Sequence, residues 1–261
     1  MATATVALLL ILASAGAPSA LLPGDRQEVQ AQSPESEFSR LAAGLADQRQ
    51  AGAEESEKLQ ERALAILDSM VLAALNAPGG PDLAALNQRL SALRAQPPMV
   101  GEDYRVVGLG GSPAGYALAA NFGIGGPSAV RLYGGAAGRY ALAARIDRFA
   151  QKDFFDEYLE LVPVAAPVTL FVTVSGRTDE LQTGAFVAWQ FDGERVRAVW
   201  SSDILQQSSY EAAADGFRVT YCAQTDEDKP RVCRRMTRDR FTWSRGSWTR
   251  VQQTSVPVPK R

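Results

Sequence analysis

The sequence predicts an α+β protein, an N-terminal helical hairpin followed by a mostly antiparallel β-meander. Two periodicities carry that reading. Residues 53–97 place apolar side chains at spacings of three and four, which marks one face of a helix. From Tyr104 onward apolar and polar residues alternate, which marks strands with one face inward. Almost no helical pattern follows residue 100, so parallel βαβ units are not expected.

The first helix of the hairpin carries Leu59, Ala63, Ile66, Met70 and Ala73, widened by Leu67, Val71 and Leu75. Asn76-Ala77-Pro78-Gly79-Gly80-Pro81 breaks it, because proline removes a donor and glycine favours a turn. The second helix starts at Pro81-Asp82, carries Leu83, Leu86, Leu90 and Leu93, and ends at Pro97-Pro98. Its apolar stripe can be buried on the β-domain, or dock a partner or a second copy.

Residues 101–253 read as the β-domain. Tyr116, Leu118, Ala120 and Phe122 share one face, as do Tyr140, Leu142, Ala144 and Ile146. The same holds for Val168 to Val174, for Val196, Ala198 and Trp200, and for Phe217, Val219 and Tyr221. Asp192-Gly193 and Asp215-Gly216 read as type I′ hairpin turns, and Gly110-Gly111, Gly125-Gly126, Gly134-Gly135 and Arg245-Gly246 as further reversals. The meander can close as an irregular barrel or sandwich, or stack as a partial propeller.

Trp189-Gln190-Phe191-Asp192-Gly193 and Phe241-Thr242-Trp243-Ser244-Arg245-Gly246 repeat an aromatic strand before a turn. Gly138-Arg139-Tyr140 stands in the same relation to Gly193-Glu194-Arg195. By this pattern the chain resembles β-propeller blade repeats, whose four-stranded units recur at about 50 residues. That resemblance implies a four-stranded unit and no activity.

Three flanking regions complete the chain. Val6–Ala17 is an apolar run too short to span a bilayer, followed by small residues, and the first charge is Asp25. It reads as a signal peptide over residues 1–20, cleaved after Ala15 or Ala20, although no Lys or Arg precedes it. The mature chain then has no transmembrane segment and is secreted or periplasmic. Residues 21–52 read as a flexible linker with a weak helical pattern at Phe38, Leu41 and Leu45, and residues 254–261 as a disordered tail. The only cysteines, Cys222 and Cys233, are expected to pair in an oxidising compartment. The segment Trp200-Ser201-Ser202-Asp203-Ile204-Leu205-Gln206-Gln207-Ser208-Ser209-Tyr210 resembles uncharacterised exported bacterial proteins, which implies no activity either.

The chain has no histidine. That excludes Ser-His-Asp and Cys-His catalysis, HExxH zinc sites and His-ligated haem. Two cysteines cannot build a four-thiolate site, so no metal and no cofactor are expected. The glycine runs at 108–111 and 123–126 lead into Pro113 and Pro127 rather than a helix, so they read as turns and not as nucleotide loops. Asp226-Glu227-Asp228 lacks the ligand spacing of a calcium loop.

Two chemistries remain. From Lys229 to Arg261 there are ten Lys/Arg and one acid, in a chain of net charge −2. Arg234, Arg238 and Arg240 lie at even spacing, with Trp243 and Arg245 beyond, and could bind a polyanion by charge and stacking. Protection of an edge strand, or pairing with the acidic remainder, explains the same residues. For an exported chain an acidic envelope polymer or a protein partner fits better than nucleic acid. The alternative is a carboxylate-dependent glycan hydrolase using Asp153, Asp156, Glu157, Glu160, Asp179 or Asp203, which needs two acids facing one cleft. A structural module acting through the hairpin is the third reading. The leading expectation is an exported, non-catalytic binding or interaction protein.

Overall fold

A computed structural model describes residues 33–47, 53–95, 101–123, 128–147, 158–177, 183–213, 215–229 and 231–258. The expected signal peptide, the Pro97-Pro98 stop, Gly125-Gly126 and the acids Asp153, Asp156, Glu157 and Asp179 lie outside them.

Among the described residues three helices precede twelve strands. The first, α1 (Pro34–Asp47), lies inside the segment expected to be a flexible linker. Ser33 caps it by accepting from the Ser36 amide at 3.2 Å, Pro34 starts it, and Glu35 and Glu37 sit in its first turn. Burial makes it part of the fold: Phe38, Leu41 and Leu45 are almost fully enclosed. Their spacing was visible in the sequence, and the polar composition around them outweighed it. The hairpin follows as α2 (Ala53–Leu75) and α3 (Leu83–Ala92). Asp82 caps α3 by accepting from the Ala85 amide.

The strands form three four-stranded antiparallel meanders. The first sheet is β1 (Glu102–Leu109), β2 (Gly115–Phe122), β3 (Ser128–Gly134) and β4 (Ala141–Ile146). The second is β5 (Tyr158–Val164), β6 (Thr169–Gly176), β7 (Gly184–Phe191) and β8 (Val196–Ser201). The third is β9 (Ser209–Ala213), β10 (Gly216–Thr225), β11 (Cys233–Ser244) and β12 (Ser247–Val256). No barrel closes. Residues 254–256, expected in a disordered tail, pair with β11 instead.

Three apolar clusters join successive layers. Tyr104, Leu118 and Phe122 of the first sheet meet Phe38, Leu67, Val71 and Leu90 of the helices. The other face of that sheet, through Leu109, Val130 and Leu132, meets Phe171 and Phe191 of the second. The far face of the second, through Leu170, Val172 and Phe186, meets Phe217, Phe241 and Trp248 of the third. The hairpin therefore buries its stripe on the first sheet. Two side-chain amides fix the docking. Asn76 exchanges hydrogen bonds with the backbone of Tyr140, beside edge strand β4, and Asn87 does the same with Val106 on edge strand β1. Each mimics a missing peptide neighbour.

One device recurs in all three sheets. The turn from the third strand to the fourth contains a glycine at positive φ: Gly138 (+74°), Gly193 (+98°) and Gly246 (+80°). Soon after it the fourth strand takes one extra residue, at Ala143, Val199 and Val251 respectively. Glycine and bulge both recur roughly every 50 residues, the period of a four-stranded unit. A one-residue bulge sends the following side chains to the opposite face. Expected one-face sets are thereby divided. Tyr140 packs toward the helices while Ala144 and Ile146 pack toward the second sheet, and Leu142 is 41% exposed. Val196 faces the first sheet, whereas Trp200 faces the third.

The turn chemistry also differs from expectation at two places. Asp192-Gly193 belongs to a four-residue connection in which the Asp192 carboxylate accepts from the Glu194 and Arg195 amides. Gly216 is a strand residue paired with Ala213, and its missing Cβ is needed because Phe241 O would lie 2.0 Å away. The two-residue turn with both φ positive, the type I′ signature, is Arg245-Gly246 (52° and 80°).

Candidate functional site

The five residues of the expected basic site do not form one surface. Arg238 and Arg240 do share the outer face of the third sheet, but their partners are close by. Arg240 donates to both oxygens of Asp215 at 2.9 Å, and Arg238 Nε donates to Thr220 at 3.1 Å. Beside them Arg218 pairs with Glu211 at 3.1 Å. Arg234 falls where the β10–β11 register shifts and is tied to Asp226. Arg245 is exposed at the tip of the β11–β12 turn. Trp243 lies across the sheet from Arg240, edge-on to Trp248 at 5.4 Å and 68°. Of the basic C-terminal stretch, Arg234, Arg240 and Arg250 pair with acids within the fold.

Cys222 and Cys233 are bonded, closing the β10–β11 connection. Inside that loop Asp226 accepts from the Asp228 and Lys229 amides at 2.9 and 3.1 Å. The acidic triplet thus builds a turn.

The opposite, inner face of the third sheet carries the candidate site. The segment 202–208, between the second and third sheets, stands over it as a wall pinned on both sides. Leu205 exchanges backbone hydrogen bonds with Gly184 at the start of β7, and Gln206 O accepts from the Cys222 amide of β10 at 2.9 Å. Gln207 takes φ 49° and donates to Arg231 O. Under this wall lies a cleft of about 390 Å³, lined by Trp200, Ser202, Asp203, Val219, Tyr221, Asp239, Phe241, Trp248 and Arg250. Past Leu205 and Tyr221 it continues into a polar groove of about 720 Å³ along Gln206, Ala223, Thr225, Arg235, Thr237 and Gln253. The β8 bulge delivers Trp200 to this cleft, and the bulge in β12 precedes Gln253.

Asp239 is the centre of the cleft's polar chemistry. It is 4% exposed, and its Oδ2 accepts from Tyr221 Oη at 3.1 Å and from Arg250 Nη1 at 3.4 Å. Burial first, then the charge and hydrogen bond of Asp239, push the Tyr221 phenol above its usual value, so it stays a neutral donor. Asp239 Oδ1 and Trp248 Nε1 are buried without a hydrogen-bond partner among the described residues, and so is Gln206 Oε1 in the adjoining groove. Buried polar atoms are nearly always paired in native folds, and three of those left without a partner among the described residues lie along this one groove.

Of the expected acids, Asp203 lines this cleft and Glu160 is exposed on β5. Sequence reasoning missed Asp239, Tyr221, Trp200 and Trp248 as a group. Asp239 was visible as the one acid in the basic C-terminal stretch, and β-alternation from Phe241 places it on the inner face. Among the described residues no three metal-binding side chains gather, and no helix is long and apolar enough to cross a membrane. No family model, curated protein or solved structure matches the chain.

Proposed function

We propose that this chain is an exported, non-catalytic binding protein that holds its ligand in the groove on the inner face of the third sheet. The short apolar leader and the Cys222–Cys233 bond support the address. The observation that carries the site is the orphaned pair, Asp239 Oδ1 and Trp248 Nε1, buried in two of the side chains that line the cleft beside Trp200. A ligand with hydroxyls or amines would satisfy both atoms, and its apolar faces would stack on the indoles. An envelope glycan has that chemistry.

The test is retention of the purified full chain on peptidoglycan sacculi. Trp200→Ala and Asp239→Asn should reduce the bound fraction about tenfold, equivalent to about 1.4 kcal/mol. Arg238→Glu with Arg240→Glu should leave it within twofold. Loss on the outer face and not in the groove would return the reading to the arginines; no retention of the native chain would reject the glycan reading.

Asp203 and Asp239 lining one cleft favour a second reading, carboxylate-dependent hydrolysis. Asp239, however, is engaged as an acceptor by Tyr221 and Arg250, the arrangement of a residue that orients and does not deliver a proton. Release of reducing ends from sacculi, abolished by Asp203→Asn, would favour the hydrolase.

A further inference from the structure

We infer that the cleft between the second and third sheets takes a small ligand with a primary ammonium group and a hydroxyl or ether oxygen, as in an amino sugar or an ethanolamine headgroup. This rests on the reading that the groove is the ligand site, and it specifies what the enclosed end of that groove recognises.

Four features converge on this chemistry. Asp239 Oδ1 is a buried acceptor in need of a donor, and Trp248 Nε1 a buried donor in need of an acceptor. Asp239 is 4% and Trp248 8% exposed, so water meets neither freely. A ligand must therefore present an N–H or O–H to one and a lone pair to the other. The charge selects between these. Asp203, which is exposed, and Asp239, which is buried, line the cleft with one guanidinium, Arg250, so one carboxylate is in excess. One positive charge on the ligand balances it.

The walls add to the preference. Trp200, Tyr221, Phe241 and Trp248 all line the cleft, and aromatic faces attract cations, more strongly where water is excluded. A quaternary ammonium would gain this attraction but offers no N–H to Asp239. An anionic group would meet the two carboxylates, and a neutral sugar would leave the excess charge unmatched. The volume of about 390 Å³ suits a monosaccharide or small headgroup, at the lower end of ordinary ligand sites. Arg250 is 53% exposed at the rim and holds Asp239 Oδ2, which leaves Oδ1 to the ammonium.

The experiment titrates the full chain with D-glucosamine and with ethanolamine, followed by tryptophan fluorescence and calorimetry. D-glucose and N-acetyl-D-glucosamine serve as uncharged controls. The expected result is binding of at least one amine, ten or more times tighter than either control. Binding of glucosamine alone names the sugar as the source, and of ethanolamine alone the headgroup. Asp239→Asn, which keeps the shape and removes the charge, should raise Kd about tenfold. Trp248→Phe, which removes the indole donor, should raise it severalfold and serves if the first variant does not fold. Equal binding of the controls overturns the ammonium and leaves the groove reading standing. Amine binding unchanged in both folded variants overturns the site. No binding of any of the four compounds overturns the inference, and retention on sacculi then decides the groove reading separately.

Discussion

Phe217→Ala should be among the most damaging single changes in the protein. Its ring is fully buried and stands at the centre of the contact between the second and third sheets. Four aromatic rings surround it: Trp248 at 4.8 Å, Phe241 at 5.0 Å, Trp200 at 5.3 Å and Tyr210 at 5.7 Å. Truncating a buried Phe to Ala costs about 3–5 kcal/mol, and well-placed aromatic pairs add about 0.5–1.5 kcal/mol each beyond their burial. The site therefore belongs at the upper end, about 4–5 kcal/mol. For a chain of this size that corresponds to a fall in Tm of about 10–15 °C. Phe217→Leu keeps most of the volume and loses the ring, and should cost about 1.5 kcal/mol. Equilibrium unfolding in urea, followed by circular dichroism and tryptophan fluorescence, measures both. A loss below about 1 kcal/mol for Phe217→Ala would refute the claim that this cluster holds the third sheet in place.

Two further outcomes follow from the fold. Replacing both Cys222 and Cys233 by Ser should lower stability by at most about 3 kcal/mol, the chain-entropy estimate for so short a loop; urea midpoints with and without reductant check it, and a native chain indifferent to reductant would contradict it. Asp68 gives a pH signature: burial pushes its carboxyl above the usual value against the hydrogen bond from Tyr133 (2.7 Å) and the charge of Arg131. Its folded form holds a proton more tightly than the unfolded form. Its contribution is therefore greatest below the usual carboxylate range and declines as pH rises through the elevated value. Asp68→Asn should remove that decline from the stability–pH curve, and an unchanged slope would contradict the burial argument.

What could be read from the amino acids divides along physical lines. Local periodicity gave the hairpin and most strands, because a single amphipathic face dictates each. The recurrence of Gly138, Gly193 and Gly246 was legible as well, since a turn with positive φ selects glycine wherever it falls. Bulges were not legible. Ala143, Val199 and Val251 have nothing in their chemistry to mark them as extra residues, yet each reverses the facing of its neighbours. That is why Trp200 was grouped with Val196 and Ala198, and why its place in the cleft could not be foreseen. The partners of the arginines were not legible for a related reason. Composition counts charges but not their partners, and Asp215, Glu211 and Asp226 approach Arg240, Arg218 and Arg234 only through strand pairing.

The two ends of the layered stack differ in kind. At one end three helices seal the first sheet with hydrocarbon; at the other the third sheet turns Arg218, Thr220, Arg238 and Arg240 outward. Both ends act as terminators, one already filled and one hydrated, so neither offers a dry surface on which another such sheet could settle.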